Sequence, residues 1–177
     1  MVGRQRSPER GAVPDEPGSA TSELASPACS MAEADPAYMG FAAKDELIER
    51  LNLLLEAERA GAKVLLALMR EHEAAAAALA AMQRDEGRYA GLLTRLVREL
   101  GGEPSRKTGD FVGKVLALPD LHARLELLNR GQLWVAKRLD ELLPRLRDDA
   151  MHAALREMRD RHHGNIAECN KLIATLR

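Results

Sequence analysis

Four segments of this chain each carry a sustained apolar seam in steps of three and four, and each seam is interrupted near its middle by a polar residue. The first runs Leu47, Leu51, Leu54, Glu58, Gly61, Leu65, Leu68, and the second Leu79, Met82, Glu86, Tyr89, Leu93, Leu96, Leu100. The third runs Leu121, Leu125, Leu128, Gln132, Val135, Leu139, Leu142, and the fourth Met151, Leu155, Met158, His162, Asn165, Cys169, Leu172, Leu176. Such spacing keeps residues on one face of an α-helix. The expected fold is therefore an all-α four-helix bundle in which Glu58, Glu86, Gln132 and His162 all point inward. An ionised carboxylate buried alone costs on the order of several kcal/mol, so these groups need partners, and their level is where chemistry is expected.

The order of segments follows from turn and cap signals. Residues 1–40 hold five of the eight prolines and almost no large apolar side chain, the composition of a disordered tail; residues 41–177 form the bundle domain. Met31 is a candidate natural start, which N-terminal sequencing checks. The first helix is predicted from Lys44 to Arg70 and the second from Ala74 to Leu100, stopped by Gly101 and Gly102. No Gly or Pro separates them, and the alanines at 74–78 favour one unbroken helix. Symmetry argues for a fold-back instead. His72 is the midpoint between Glu58 and Glu86, so a reversal there sets the two glutamates opposite each other. In the second half, Asp120 is a predicted N-cap, Pro144 ends the third helix, and Asp148 or Asp149 caps the fourth. Residues 101–119 are too long for a tight hairpin, and Phe111, Val115 and Leu118 predict a short helix within them. Gly61 and Gly87, inside helices, predict close helix approach.

Composition removes several function classes. The 26 basic and 27 acidic residues are interspersed along helix faces and aromatics make up 3% of the chain, which argues against a nucleic-acid partner. No apolar run reaches the roughly 18 residues of a membrane span, and no signal segment opens the chain, so a cytoplasmic protein without a membrane partner is expected. The two cysteines, Cys29 and Cys169, lie too far apart to suggest a disulfide framework. Cys169, on the fourth seam, reads as a small buried hydrophobe, and Trp134, beside the third, as packing. A homodimer is the one assembly this reading leaves open.

The polar layer resembles that of the ferritin-like superfamily, including bacterioferritins and rubrerythrins. These build a di-iron site from one Glu on each of two helices and a Glu-x-x-His pair on each of the other two. Here Glu58 matches the first single glutamate, and Glu86 opens the first pair with Tyr89 where His is expected. Gln132 stands for the second single glutamate, and His162 closes the second pair. The strings Glu56–Gly61, Gln83–Glu86, Arg130–Val135 and His162–Ile166 are also similar to those of an uncharacterised bacterial ferritin-like family. The resemblance implies two antiparallel hairpins joined by a long crossover.

Three functional readings follow. The leading one is a bundle with a degenerate carboxylate/His site, non-enzymatic and acting in binding or assembly. The alternative is a protein binding iron, manganese or zinc, or an iron-dependent oxidoreductase, with Glu58, Glu86 and His162 holding the ion. Gln132 and Tyr89 would then be weak ligands or supports around it. The third, a homodimer binding a small apolar molecule between its helices, requires a cavity. No catalytic residue is assigned, and whether the chain is an enzyme stays open.

Overall fold

A computed structural model describes residues 39–176. The expectations for the tail, Cys29 and Met31 fall outside the described residues, apart from the turn at Met39 and Gly40. The elements are α1 (Lys44–Glu71), α2 (Glu73–Glu99), α3 (Phe111–Leu116), α4 (Leu121–Leu142), a 3-10 turn (Leu143–Arg145) and α5 (Asp149–Thr175).

Each boundary has a local cause. Between α1 and α2 only His72 leaves the helix, at φ −130° and ψ 76°, and that one non-helical residue reverses the chain. Fold-back at the midpoint thus overrides the helix propensity of the alanine run. Helix α2 ends in a Schellman motif: Gly101 adopts φ +75°, its N–H donates to the Arg98 carbonyl, and the Gly102 N–H donates to the Val97 carbonyl. The Asp120 side chain accepts from Ala123 N at 2.8 Å, and Asp148 accepts from Met151 N at 2.6 Å, so both predicted caps are made.

The crossover fixes the topology. It leaves α2 beside the start of α1, where Gly102 packs on Ile48, and climbs along α1. Asn52, Glu56 and Arg59, one ridge of α1, hold it there. Asn52 Nδ2 donates to the Glu103 carbonyl at 3.0 Å, Asn52 Oδ1 accepts from Ser105 N at 2.7 Å, Glu56 accepts from the Ser105 hydroxyl, and Arg59 donates to the Ser105 carbonyl. Helix α4 then starts beside the end of α1, with Arg124 paired to Glu71, and finishes beside its beginning. There Arg145 grips Glu46, and the Arg145 carbonyl accepts from Ala42 N at 2.8 Å. Helices α1 and α4 are therefore antiparallel, as are the hairpin partners α1 with α2 and α4 with α5. Helices α1 and α5 face each other across one diagonal of the bundle, and α2 and α4 across the other.

The apolar core is divided. One cluster, including Leu51, Leu55, Leu93, Leu139 and Leu155, fills the end near the start of α1. A second, including Leu65, Leu68, Leu79, Leu125 and Cys169, fills the opposite end. Between them lies a buried polar layer of Glu58, Glu86, Gln132, His162 and Asn165.

Two sequence expectations need correction. The fourth seam closes on Ile173, which is buried, while Leu172 is half-buried and Leu176 exposed. From Cys169 a step of four stays on the inward face and the step of three drifts off it. Gly87 marks no close approach: it is exposed, with open space where a side chain would stand.

Candidate metal centre

The seams bring four helices to one level, and the polar groups meet there along the two diagonals. On the first, His162 of α5 reaches Glu58 of α1, with Nε2 3.1 Å from Glu58 Oε1. On the second, the Gln132 amide of α4 donates to Glu86 Oε1 of α2. The two diagonals cross, and the Glu58 and Glu86 carboxyl groups meet where they do. Ligand-capable atoms of Glu58, Glu86 and His162 all lie within 4.8 Å of one another.

The histidine is oriented by its own helix. His162 Nδ1 lies 2.9 Å from the Met158 carbonyl, which can only accept, so Nδ1 carries the hydrogen. Nε2 is left aimed at Glu58. A backbone carbonyl holding one ring nitrogen while the other faces a carboxylate is how proteins set a ligating imidazole. In the absence of an ion, one proton must occupy the Nε2 to Glu58 contact.

The carboxyls are strained electrostatically. Burial pushes Glu58 well above the usual carboxylate range. Burial does the same to Glu86, and the neighbouring Glu58 charge adds to it. Several polar atoms around them have no partner among the described residues: Glu58 Oε2, Gln132 Oε1, the Tyr89 hydroxyl and Asn165 Nδ2. Leaving a buried polar atom unpaired costs about 1–3 kcal/mol, so each of these atoms has a reason to take an added partner.

All five residues expected from sequence are therefore buried in one layer, but in unequal roles. Glu58, Glu86 and His162 form the ligand-capable group, and Gln132 supports Glu86. Tyr89, expected as a weak ligand or a support, donates to no acceptor among the described residues; its ring lies 5.9 Å from the His162 ring, tilted by 42°, and walls the imidazole in place. Burial raises the Tyr89 phenol to about 12, so it stays protonated. Asn165 lies on the fourth seam three residues beyond His162, a spacing that places it at the same face, yet sequence reasoning gave it no part. Arg159 stays outside the layer, paired with Asp140 and Asp160.

Gly61 is the other contributor. A Cβ there would stand 2.7 Å from Glu86 Cδ, so a larger residue on α1 would have to displace that carboxyl group from its place in the layer. Cys169, in the second apolar cluster, is buried with its thiol pushed up to about 12 by loss of solvation. In a Cys29→Ser background it is expected to resist a thiol reagent at pH 8 until the protein is unfolded. Rapid stoichiometric labelling of the folded protein would contradict that placement.

Di-iron binding does not fit this layer. Two ferrous ions bring four positive charges, and the layer supplies two carboxylates. One divalent ion, by contrast, would be balanced by Glu58 and Glu86, with the His162 nitrogen as a third donor.

The comparisons bear on the fold. A crystal structure of a ferritin-like, diiron-carboxylate protein from Bacillus anthracis str. Ames matches at a TM-score of 0.55 and 20% identity, covering 75% of this chain and 94% of that one. The chain thus has the ferritin-like fold. No curated protein matches. A family model described as a domain of unknown function, DUF6306, matches residues 45–171.

Proposed function

We propose that this chain, which belongs to the DUF6306 family, binds one divalent transition-metal ion through Glu58, Glu86 and His162. The observation that carries the reading is the buried Glu/Glu/His group with His162 Nε2 turned inward by the Met158 carbonyl. A mixed carboxylate and imidazole donor set suits iron, manganese and zinc. The diiron-carboxylate description of the structural neighbour supports a metal role for the fold and differs in the number of ions this layer can balance.

The chain's own residues define how the ion would be held. Glu58 and Glu86 supply opposing carboxylates from the two arms of the first hairpin, and His162 supplies a neutral nitrogen from the second. Gln132 fixes the Glu86 carboxyl by donating to it. Gln132 Oε1, buried and unpartnered, is a further oxygen that could serve as a donor. The two apolar clusters above and below bury the layer, which strengthens the charge interactions within it. The role proposed is holding the ion; its Lewis acidity is what such an ion supplies when bound.

Elemental analysis of protein purified without chelators tests the reading. One iron, manganese or zinc per chain, absent from Glu86→Ala, is the expected result. A folded wild-type protein that carries no such ion and takes up none on dialysis would refute it and leave a metal-free hydrogen-bonded layer.

A further inference from the structure

A cavity of about 390 Å³ opens beside the polar layer, between α1, α4 and the crossover. Small residues create it: Ala57, Ala60 and Gly61 on α1 face Gly131 on α4. Phe111 of α3 lies over Gly131, where a Cβ would stand 2.7 Å from its ring, and Trp134 completes the wall. The crossover roofs it, held by Asn52, Glu56 and Arg59, which pin residues 103–105 to α1. At the outer end stand Leu53, 47% exposed, and the exposed Gly109 and Arg130. At the inner end is Glu86, one of the three ligand-capable residues, whose carboxyl group lies against the bare Gly61 backbone.

The described residues close the other approaches to the layer. Along the bundle axis the two apolar clusters cap it. Between α1 and α2 the Gly61 backbone packs on the Glu86 carboxyl group. Between α2 and α5 the Tyr89 ring covers His162, and outside it Asp85 pairs with Arg161 and Arg88 with Glu157, from positions flanking Glu86. Between α4 and α5, Asn129 bonds to Asn170 on one side of the layer and Asp140 pairs with Arg159 on the other. Depressions beside Asn129 and beside Glu46 touch no residue of the layer.

An ion held by buried groups needs a path from solvent. A divalent ion with its inner waters amounts to about seven water-sized groups, or about 210 Å³ at about 30 Å³ each, so the cavity can admit it without stripping it first. Glu56 and Glu86 are the carboxyl groups of the lining, and Arg130, the opposing charge, is exposed at the mouth, where solvent screens it. We infer that the ion enters and leaves the layer through this cavity, passing Glu56 and the small residues of α1 to reach Glu86. The inference rests on the metal reading above and adds the route.

A plug in the path raises the barrier equally in both directions, so uptake and release slow together and the dissociation constant is unchanged. Mixing Zn²⁺-loaded protein with saturating pyridylazoresorcinol, a chromogenic chelator, gives the release rate, and competition with the same chelator gives the dissociation constant. Ala57→Leu, which fills the cavity, should slow release about tenfold or more and leave the dissociation constant within about twofold. Phe111→Ala, which widens the cavity, should speed release at least about threefold at the same affinity, and it decides the matter if Ala57→Leu does not fold. Ala174→Leu, beside the Asn129 depression, should alter neither quantity. Wild-type release rates in the cavity variants, equal slowing by Ala174→Leu, or a rate change matched by an equal change in affinity would overturn the route and leave the metal reading intact. A wild-type protein that takes up none of the three ions fails that reading, and the route falls with it.

Discussion

Glutamine in place of Glu86 is expected to leave the metal-free bundle as stable as the wild type or more so, while abolishing its response to a divalent ion. Glu86 is held toward its protonated form by burial and by Glu58, and it accepts a hydrogen bond from Gln132. A glutamine amide keeps that acceptor and removes a buried ionisable group, which is commonly neutral or stabilising. It cannot balance a divalent charge. In the wild type, Mn²⁺ at a thousandfold excess over its dissociation constant should add about 4 kcal/mol, or about 10–20 °C in melting temperature for a domain of this size.

The pH dependence has a definite sign. Glu58 and Glu86 have folded pKa values above their unfolded ones, so their protonated forms stabilise the metal-free protein at low pH. That stability is lost as pH rises from the ordinary carboxylate range through the raised folded values. Metal binding needs both carboxyls ionised, so it strengthens over the same interval. The melting-temperature gap between Mn²⁺-loaded and metal-free protein should therefore widen from pH 5.5 to pH 8. A gap that narrows, or a Glu86→Gln protein that still responds, would count against the assignment.

Valine in place of Gly61 is the second large effect. Its Cβ falls within 2.7 Å of Glu86 Cδ, so the Glu86 carboxyl group must move out of the layer and give up its bond from Gln132. Overpacking of this kind costs about 1–3 kcal/mol, and the displaced carboxylate should also lose the ion. Gly87→Ala provides the contrast. With open space at that position, alanine should add up to about 1 kcal/mol by helix propensity alone and leave the Mn²⁺ response unchanged. Urea melts of the two variants, with and without Mn²⁺, check both statements; equal effects at Gly61 and Gly87 would contradict the packing argument.

That two glycines in similar sequence settings behave oppositely marks the limit of what the chain discloses by itself. Seam periodicity fixes which face of each helix turns inward, so Glu58, Glu86, Gln132 and His162 all point into the bundle. Midpoint symmetry locates the reversal at His72, where local propensity points the other way. What periodicity cannot carry is depth and direction within the layer. Tyr89 occupies its expected place, but its hydroxyl meets no acceptor and its ring serves the histidine. Asn165 follows the same seam, yet its part in the layer depends on the height of neighbouring helices. The cavity was illegible for a further reason: it depends on the path of the crossover, which side chains on α1 set through main-chain contacts some fifty residues away. The end of the fourth seam at Ile173 rather than Leu172 and Leu176 reflects the 3.6-residue period, which separates three-step from four-step positions within a turn.

Anomalous diffraction from crystals soaked in Mn²⁺ tests the central claim most directly. A single peak within coordinating distance of Glu58, Glu86 and His162 Nε2 is predicted. Two peaks in the layer, or none there under conditions that saturate the protein in solution, would contradict it.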